Sequence, residues 1–323
     1  MGGETMKRVV IIGGETHIAE ITQLNGKRLT VVGAAVRKDQ FDTARQRFGG
    51  LVVEDYVRAL DELKPDIAAV ANENDLKAEV VLAALQRGID VVVDKPVAMR
   101  MAEQEEIEGL LKAHPERRLL NLLTLRGQPA WRRFRDAVAA GEVGVPAFCH
   151  VRMAVQLKRA QRPPWFLDVR RSGGLFLDLL IHGIDQVAWC TGRRVVAVTA
   201  TTGNLGTPED AHLRDHAAAF CELEGGASAV VEGQRMLPDT KGSDYRMTLA
   251  GTEGVIDLVM GGDVTLTNRN GAGRALSDLP EAQSVVADWL EGGDLVPQAA
   301  SLRANRLAIL ATMSAERRER IVI

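Results

Sequence analysis

The sequence predicts an α/β protein in which a doubly wound parallel sheet is followed by an α+β domain with a mainly antiparallel sheet. Short continuous runs of Val, Ile and Leu alternate with segments of helical period up to about residue 123. Such alternation is typical of a parallel sheet covered on both faces. Beyond that point several strand candidates follow one another with turns between them, which is typical of an antiparallel sheet. The change in pattern predicts two domains, residues 1–124 and 125–323.

The elements of both halves follow from these periodicities. In the first half, the apolar runs predict strands over 9–12, 29–35, 66–71, 90–93 and 119–123, and residues 76–87 show the spacing of three and four that predicts an amphipathic helix. In the second half we expect helices over 129–140 and 174–190. The expected strands are 146–157, 195–202, 216–223, 227–235, 245–250 and 255–259. Gly225-Gly226 between two of them favours a hairpin.

The composition excludes several classes of protein. The 323 residues carry 40 basic and 43 acidic side chains, a net charge of −3, which gives no general affinity for nucleic acid or anionic membranes. Three cysteines spaced far apart argue against a disulfide framework and for a reducing compartment. No apolar run reaches the roughly 20 residues of a membrane span, and the amino terminus lacks a secretion or myristoylation pattern. We therefore expect a cytoplasmic protein.

The first predicted strand ends in a glycine turn that only partly fits a dinucleotide-binding motif. Such a motif needs glycines for a tight turn, for close approach of the backbone to pyrophosphate and for helix packing. Gly13 and Gly14 are present, but if Gly14 opens the motif, Thr16 takes the middle position. Glu15 also brings negative charge towards the helix end that should accept phosphate. A cofactor-binding turn and a plain structural turn both stay open.

The end of the second predicted strand bears on the type of cofactor. An acid at this position usually bonds the ribose of NAD, whereas cations suit the extra phosphate of NADP. The sequence has Arg37 and Lys38 here, with no acid until Asp39. This pattern favours NADP weakly over NAD, and the alternative is a solvated start to the next helix.

Asp94-Lys95-Pro96 ends the buried strand 90–93. It places a cation at the carboxyl edge of the sheet, where ligands of doubly wound folds bind. The proline permits a cis bond that would aim Lys95 inward. A partly desolvated lysine can polarise a substrate or transfer a proton. The alternative is a surface lysine at a strand end.

Polar residues recur on one predicted helix that is otherwise apolar. Asp178, His182 and Asp185 follow the double glycine 173–174 at intervals of four and three, so a regular helix would place them on one face. Charged groups on a mostly buried helix are costly unless they serve a function. Histidine suits proton transfer near neutral pH, and the alternative is a histidine satisfied within the core.

These motifs occur together and in order along the chain. Three more segments accompany them, namely Asn74-Asp75-Leu76-Lys77, Arg126-Gly127-Gln128-Pro129 and Gly251-Thr252-Glu253-Gly254. The combination resembles the Gfo/Idh/MocA oxidoreductase family, with its Asn-x-x-His, Arg-x-x-Pro and Gly-Thr-x-Gly stretches. The resemblance covers nearly the whole chain.

The resemblance implies an NAD(P)-dependent dehydrogenase or reductase with a Rossmann-type domain and a second domain built on a large open sheet. Hydride would pass between nicotinamide C4 and the hydroxyl-bearing carbon of a small sugar, polyol or sugar-acid-like substrate. Lys95 would bind and polarise that hydroxyl, His182 would move its proton, and Asp178 would orient substrate and imidazole. Family members commonly associate through the open face of the sheet, so a homo-oligomer, a dimer or tetramer, is expected.

The motifs and the resemblance together give the expected site residues. The cofactor is expected to contact Gly13, Gly14, Thr16, His17, Ile18, Arg37, Lys38, Asn74 and Lys95. The substrate is expected to contact Arg126, Trp165, Asp178 and His182. Departures from the family pattern concentrate on the cofactor side, where Lys77 replaces the usual histidine, Glu15 enters the glycine turn and Asn72-Glu73-Asn74 replaces Thr-Pro-Asn; Asp94 in place of Glu is a minor change.

A basic segment precedes the helix that carries His182. It contains Lys158, Arg159, Arg162, Arg170 and Arg171 against one acid, Asp168. These cations would suit a substrate carboxylate or phosphate with Trp165 as an apolar wall, but a solvated basic loop is the favoured interpretation. His212 and His216 lie where a loop enters a strand, without a ligand set of recognised spacing, so no metal is expected.

A protein of another class could keep this fold. The alternative is a non-catalytic protein that binds a nucleotide or metabolite and regulates a partner. Glu15 and the incomplete glycine turn favour that alternative, whereas Lys95, Asp178 and His182 favour an enzyme. We therefore expect an oxidoreductase that acts on a small molecule, with neither nucleic acid nor a membrane as partner.

Overall fold

The computed structural model describes residues 6–14 and 18–323, which form two compact units. The first unit extends to Leu122 and also includes Ser284–Asn305. The second unit comprises Leu123–Gln283 and Arg306–Ile323. The division into domains 1–124 and 125–323 stays a prediction, and the return of residues 284–305 to the first unit was not foreseen from the sequence.

The first unit is a parallel, doubly wound sheet. Its strands are β1 (Lys7–Ile12), β2 (Leu29–Ala35), β3 (Leu51–Val53), β4 (Ile67–Val70), β5 (Asp90–Val93) and β6 (Leu119–Asn121). They pair in parallel in the order β3-β2-β1-β4-β5-β6. The helices are α1 (Ala19–Leu24), α2 (Phe41–Phe48), α3 (Tyr56–Leu63), α4 (Lys77–Gln86), α5 (Met101–Ala113) and α9 (Val285–Leu290), with the first part of α10 (Gln298–Arg317). The order reverses between β1 and β4, and ligands of such sheets bind at this reversal.

Buried amide side chains hold the segment 284–305 to the first unit. Asn305 Oδ1 accepts from the backbone N–H of Val97 at 2.8 Å, and its Nδ2 donates to the carbonyl of Ala98 at 3.0 Å and to Gln104 Oε1 at 2.8 Å. Asn305 is fully buried, so these bonds replace the water that its amide would otherwise need. They fix the loop that follows Pro96.

The second unit is built on one large sheet. Its strands are β7 (Pro146–Ala154), β8 (Val195–Gly203), β9 (His216–Leu223), β10 (Ser228–Gln234), β11 (Asp244–Gly251), β12 (Gly254–Val259), β13 (Val264–Asn268), β14 (Gly271–Ala275) and β15 (Ile321–Val322). The order is β14-β13-β12-β11-β7-β10-β9-β8-β15, and every pair is antiparallel except β7 with β10. Its helices are α6 (Pro129–Ala139), α7 (Val169–Ser172), α8 (Ile181–Thr191) and the rest of α10.

The segment that carries His182 differs from the regular helix predicted over 174–190. Gly173 and Gly174 have φ of +79° and +72°, a left-handed turn that glycine adopts without strain. Residues 176–180 then form a π-helical turn before α8 begins. α8 packs closely on the sheet at Gly183, where a Cβ would lie 3.0 Å from Val231. A π-helical turn inserts an extra residue per turn and often marks a functional site.

The predicted α/β fold class is confirmed, with a parallel sheet followed by a mainly antiparallel one. The short strand β3 and the hairpin β13–β14 were not predicted. Among residues 6–14 and 18–323, no helix has the length and apolar character needed to cross a membrane.

Candidate active site

The glycine turn after β1 requires glycine at one position. Gly13 has φ of +80°, and a Cβ there would lie 2.4 Å from the Cα and N of Asn72. Its N–H donates to the carbonyl of Ala35 at 2.8 Å, which ties the turn to β2. A Cβ at Gly14 would have room, since Gln40 Oε1 would lie 3.9 Å from it. Thr16 and His17, expected to contact cofactor, lie outside the described residues together with Glu15, and Ile18 is buried.

The carboxyl ends of β1 and β2 line a cavity of about 300 Å³ at the reversal of strand order. Ala35, Val36 and Asn72 contribute to its walls, together with Gly13. An elongated cofactor could approach the backbone here because no side chain projects from the glycine. The described residues therefore fit a dinucleotide.

Carboxylates surround Arg37, which lines this cavity, and the next residue, Lys38. Arg37 Nε lies 3.1 Å from Asp39 Oδ1 and its Nη1 lies 4.0 Å from Glu73 Oε1, while Lys38 Nζ lies 3.3 Å from Glu54 Oε2. The hydrogen bond from Arg37 holds the pKa of Asp39 below its ordinary value. A 2′-phosphate would have to displace these carboxylates in order to use the cations.

Glu79 accepts a hydrogen bond from Tyr56 on the same cavity wall. Partial burial, with the adjacent Glu79, raises the pKa of Tyr56 to about 12, so its phenol stays neutral and can donate.

Lys95 lies at the end of β5, buried, and the peptide bond to Pro96 is cis. A second lysine, Lys77, is fully buried behind it at the start of α4. Lys77 Nζ donates to the Lys95 carbonyl at 3.0 Å and to Asn74 Oδ1 at 2.9 Å, and it lies 3.9 Å from Asp94 Oδ2. Burial, and to a lesser extent the charge of Lys95, lowers the pKa of Lys77 to about 8. Two ammonium groups thus share one desolvated strand end.

Asp178 and His182 lie in the second unit, on the π-helical turn and on the first turn of α8. Both side chains are only partly buried. Asp178 forms an ion pair with Arg235, which follows β10 and is 5% exposed. Arg235 therefore anchors Asp178 as a carboxylate close to the histidine-bearing turn.

Arg126 and Asp185 form a buried bidentate ion pair. Arg126 Nε and Nη2 lie 2.8 and 2.7 Å from the two oxygens of Asp185, and Arg126 also stacks over Trp189. Only 3% of the Arg126 side chain is exposed. Its role as a substrate ligand stays a prediction, and in the structure its charge is already matched by Asp185.

Most of the basic segment 158–171 is neutralised or packed. Arg159 pairs with Asp210 through two 2.7 Å bonds, and Arg170 pairs with Asp168. Trp165 is buried and contacts the Phe166 ring edge to face at 5.9 Å between centroids. Arg162 stacks on the same Phe166 ring at 4.2 Å. The solvated-loop interpretation thus suits Arg159 and Arg170 but not Arg162.

Sequence reasoning missed Arg235. A period of two along β10 places it on the buried face with Ala229, Val231 and Gly233. A charged residue at a buried position of this alternation is the feature that could have identified Arg235, because buried charges need a partner.

Comparison with known proteins identifies the family. Residues 7–121 match the model of an oxidoreductase family with an NAD-binding Rossmann fold, and residues 131–257 match the Gfo/Idh/MocA C-terminal domain. The chain belongs to the Gfo/Idh/MocA family. The expected resemblance, an oxidoreductase with an NAD-binding Rossmann domain, is therefore confirmed.

Similar curated proteins and solved structures are likewise described as oxidoreductases or dehydrogenases. The chain is 26% identical over 240 residues to YrbE of Bacillus subtilis, described as an uncharacterized oxidoreductase, covering 74% of this chain and 67% of that protein. It is 25% identical over 238 residues to scyllo-inositol 2-dehydrogenase (NAD(+)) of Bacillus subtilis, covering 73% and 67%. A putative oxidoreductase from Thermotoga maritima superposes with a TM-score of 0.91 at 22% identity, covering 98% of this chain and all of that one. Levoglucosan dehydrogenase, solved with NADH and L-sorbose, gives a TM-score of 0.83 at 16% identity, covering 98% and 99%.

Proposed function

We propose that this oxidoreductase transfers hydride between NAD(P) and the hydroxyl- or carbonyl-bearing carbon of a small sugar, polyol or sugar acid. The observation that carries the proposal is the buried Lys95, whose carbonyl is held by a second desolvated lysine at the end of β5. The names of relatives support the substrate class, since they include several inositol dehydrogenases and a 1,5-anhydro-D-fructose reductase. The regulatory alternative would leave these desolvated cations without a use.

Lys95 is proposed to bind and polarise the substrate oxygen. An ammonium group that donates to a hydroxyl stabilises the alkoxide character that develops as hydride leaves the carbon. Burial strengthens this interaction because little water screens it. Lys77 holds the backbone of Lys95 and adds a second positive charge nearby.

His182 is proposed to accept the hydroxyl proton during oxidation and to return it during reduction. Imidazole suits this role because its ordinary pKa lies near neutrality. Asp178, fixed by Arg235, is proposed to orient substrate and imidazole. The two residues are one helical turn apart on the segment 176–191.

The cofactor is proposed to lie in the cavity along the ends of β1 and β2, over Gly13 and Asn72, and to contact Asn74. When bound, the nicotinamide ring supplies at C4 the carbon that accepts or returns hydride. The weak preference for NADP depends on Arg37 and Lys38. Because both cations contact carboxylates, any preference for NADP is expected to stay within about tenfold, or roughly 1.4 kcal/mol.

A homo-oligomer, a dimer or tetramer, is proposed to form through the open face of the second sheet. Phe148 on β7 and Phe220 on β9 project from that face and are each 44% exposed. Sedimentation velocity of the wild type and of Phe148→Asp tests the oligomer, which the variant is expected to weaken.

Cytoplasmic location is proposed from the buried free thiols of Cys149, Cys190 and Cys221.

Activity of Lys95→Met and His182→Ala tests the mechanism. The assay follows NADH or NADPH absorbance with inositols, aldoses and their acids as substrates. Each variant is expected to lose about 10²-fold or more in kcat while keeping the circular dichroism spectrum of the wild type. His114→Ala, at an exposed histidine that follows α5, serves as the matched control and should keep its rate. Wild-type rates in both test variants would refute the assigned roles.

A further inference from the structure

Two arginines of the second unit share one aromatic ring. The guanidinium carbons of Arg162 and Arg235 lie 4.2 and 4.8 Å from the centroid of Phe166. Their charges interact, since burial first and the charge of Arg162 second lower the pKa of Arg235 to about 9. Like charges brought together in a desolvated place are unfavourable unless an anion joins them.

The carboxylates of this neighbourhood do not balance both cations. Arg235 pairs with Asp178, whereas Arg162 donates from Nε to the backbone carbonyl of Leu157 at 3.0 Å. Two other arginines of the basic segment 158–171, Arg159 and Arg170, each pair with a carboxylate. Among residues 6–14 and 18–323, no carboxylate forms an ion pair with Arg162. The pair of arginines therefore carries one positive charge more than its acids supply.

The apolar surroundings of Arg162 would strengthen a bond between its guanidinium group and an anion. Leu157, Trp165, Phe166 and Leu213 form a buried apolar cluster beneath it. The adjacent Tyr245 is largely desolvated, which raises its pKa, so it presents a neutral phenol. Arg162 itself stays partly accessible, and an anion could reach it from solvent. Low polarity and restricted water increase the value of a guanidinium–anion bond.

We propose that Arg162, supported by Arg235, forms a subsite for a carboxylate of the substrate, so that the enzyme acts on a sugar acid in preference to a neutral polyol. The inference rests on the proposed function, because it names the substrate class of the same site. A carboxylate matches the single unbalanced charge, whereas a phosphate monoester carries about −1.5 to −2 at neutral pH. The planar guanidinium also pairs with a carboxylate through two parallel hydrogen bonds.

Calorimetric binding to the holoenzyme tests the subsite directly. The ligands are matched pairs, D-glucose with D-glucuronate and D-galactose with D-galacturonate, with D-glucose 6-phosphate added to compare the two anions. At least one uronate is expected to bind about tenfold or more tightly than its neutral partner. Arg162→Met should remove that advantage and leave the neutral sugar unchanged, while Arg162→Lys should keep part of it.

Arg317→Met is the matched control, because this exposed arginine of α10 pairs only with Glu319 in the described contacts and its loss should change neither affinity. Equal binding, or no binding, of both members of every pair would overturn the subsite, and so would tighter binding of the phosphate. Measured turnover rates distinguish the carboxylate subsite from the proposed oxidoreductase function. Neutral polyols oxidised as fast as uronates would leave the proposed function standing without the subsite, whereas uronates that bind through Arg162 but never turn over would leave the subsite standing without the function.

Discussion

Lys77→Met removes a fully buried positive charge from behind the candidate catalytic lysine. In the wild type, the Lys77 ammonium group donates to Asn74 and to the carbonyl of Lys95 and lies 3.9 Å from Asp94. Methionine keeps the length and apolar stem of the side chain but supplies no donor. At neutral pH the variant loses these bonds and also loses the cost of burying a charge, so the two effects oppose one another. Its stability at a single pH is therefore a poor measure of the interaction.

The pH dependence of stability isolates the buried charge. Burial lowers the pKa of Lys77 from 10.5 to about 8. The unfolded chain therefore binds more protons than the folded one between these values, and the Lys77 contribution to the free energy of unfolding rises with pH across that window. The full penalty, present below pH 8, is about 3 kcal/mol, and about 2 kcal/mol of it should disappear between pH 7 and 9.5.

Urea denaturation at a series of pH values measures this change. The difference in unfolding free energy, wild type minus Lys77→Met, should grow by about 2 kcal/mol from pH 7 to pH 9.5. Burial raises the pKa of Cys149 and Cys221, so wild type and variant both lose stability as pH rises past 9. Subtracting the free energy of unfolding of the variant from that of the wild type removes this shared effect. Lys112→Met, at an exposed lysine of α5, should follow the wild type. A constant difference between wild type and Lys77→Met over this range would show that Lys77 is not desolvated as described.

Three further substitutions test the cofactor cavity and the first unit. Glu54→Gln removes the partner of Lys38 and should shift the ratio of NADPH to NADH affinity towards NADPH by about three- to tenfold, measured by nicotinamide fluorescence; an unchanged ratio would remove Lys38 from cofactor selection. Gly13→Ala places a Cβ 2.4 Å from the backbone of Asn72, so it should destabilise the fold by about 2 kcal/mol or more and weaken binding of both cofactors, and wild-type affinity would contradict the turn geometry. Asn305→Ala leaves buried backbone groups unpaired and should lower the free energy of unfolding by about 2–3 kcal/mol in urea titrations; a loss below about 0.5 kcal/mol would show that water replaces the amide.

The strands of the first sheet could be predicted because parallel strands covered on both faces read as continuous apolar runs. β4 and β5 are of this kind, and every residue from 67 to 70 is buried. β3 has only three residues and gives no periodicity to detect. The return of residues 284–305 to the first unit depends on the bonds of Asn305 to a loop more than 200 positions away, and no local pattern contains that information.

The candidate site shows the same limit at the level of single residues. Lys95, Asp178 and His182 lie in motifs whose spacing is visible in the sequence, so they could be named in advance. The partner of a charge is not visible in this way. Arg126 is expected to meet substrate, and the sequence alone does not show that Asp185, 59 positions later, pairs with its Nε and Nη2. Arg235 was missed because its importance arises from Asp178, which lies 57 positions earlier in the sequence.

Two pairs of like charges, each with at least one buried member, argue for function more strongly than any motif does. Lys77 beside Lys95, and Arg162 beside Arg235, each bring like charges together where water is scarce. Each arrangement costs folding free energy, and apolar side chains of similar size would pack in those places at lower cost. Preorganised charge in a dry place is what stabilises an oxyanion or holds a carboxylate, since no reorganisation is then needed during the reaction. A protein that only bound and signalled would have little use for a desolvated ammonium at the end of β5, and this difference is why the structure supports catalysis over regulation.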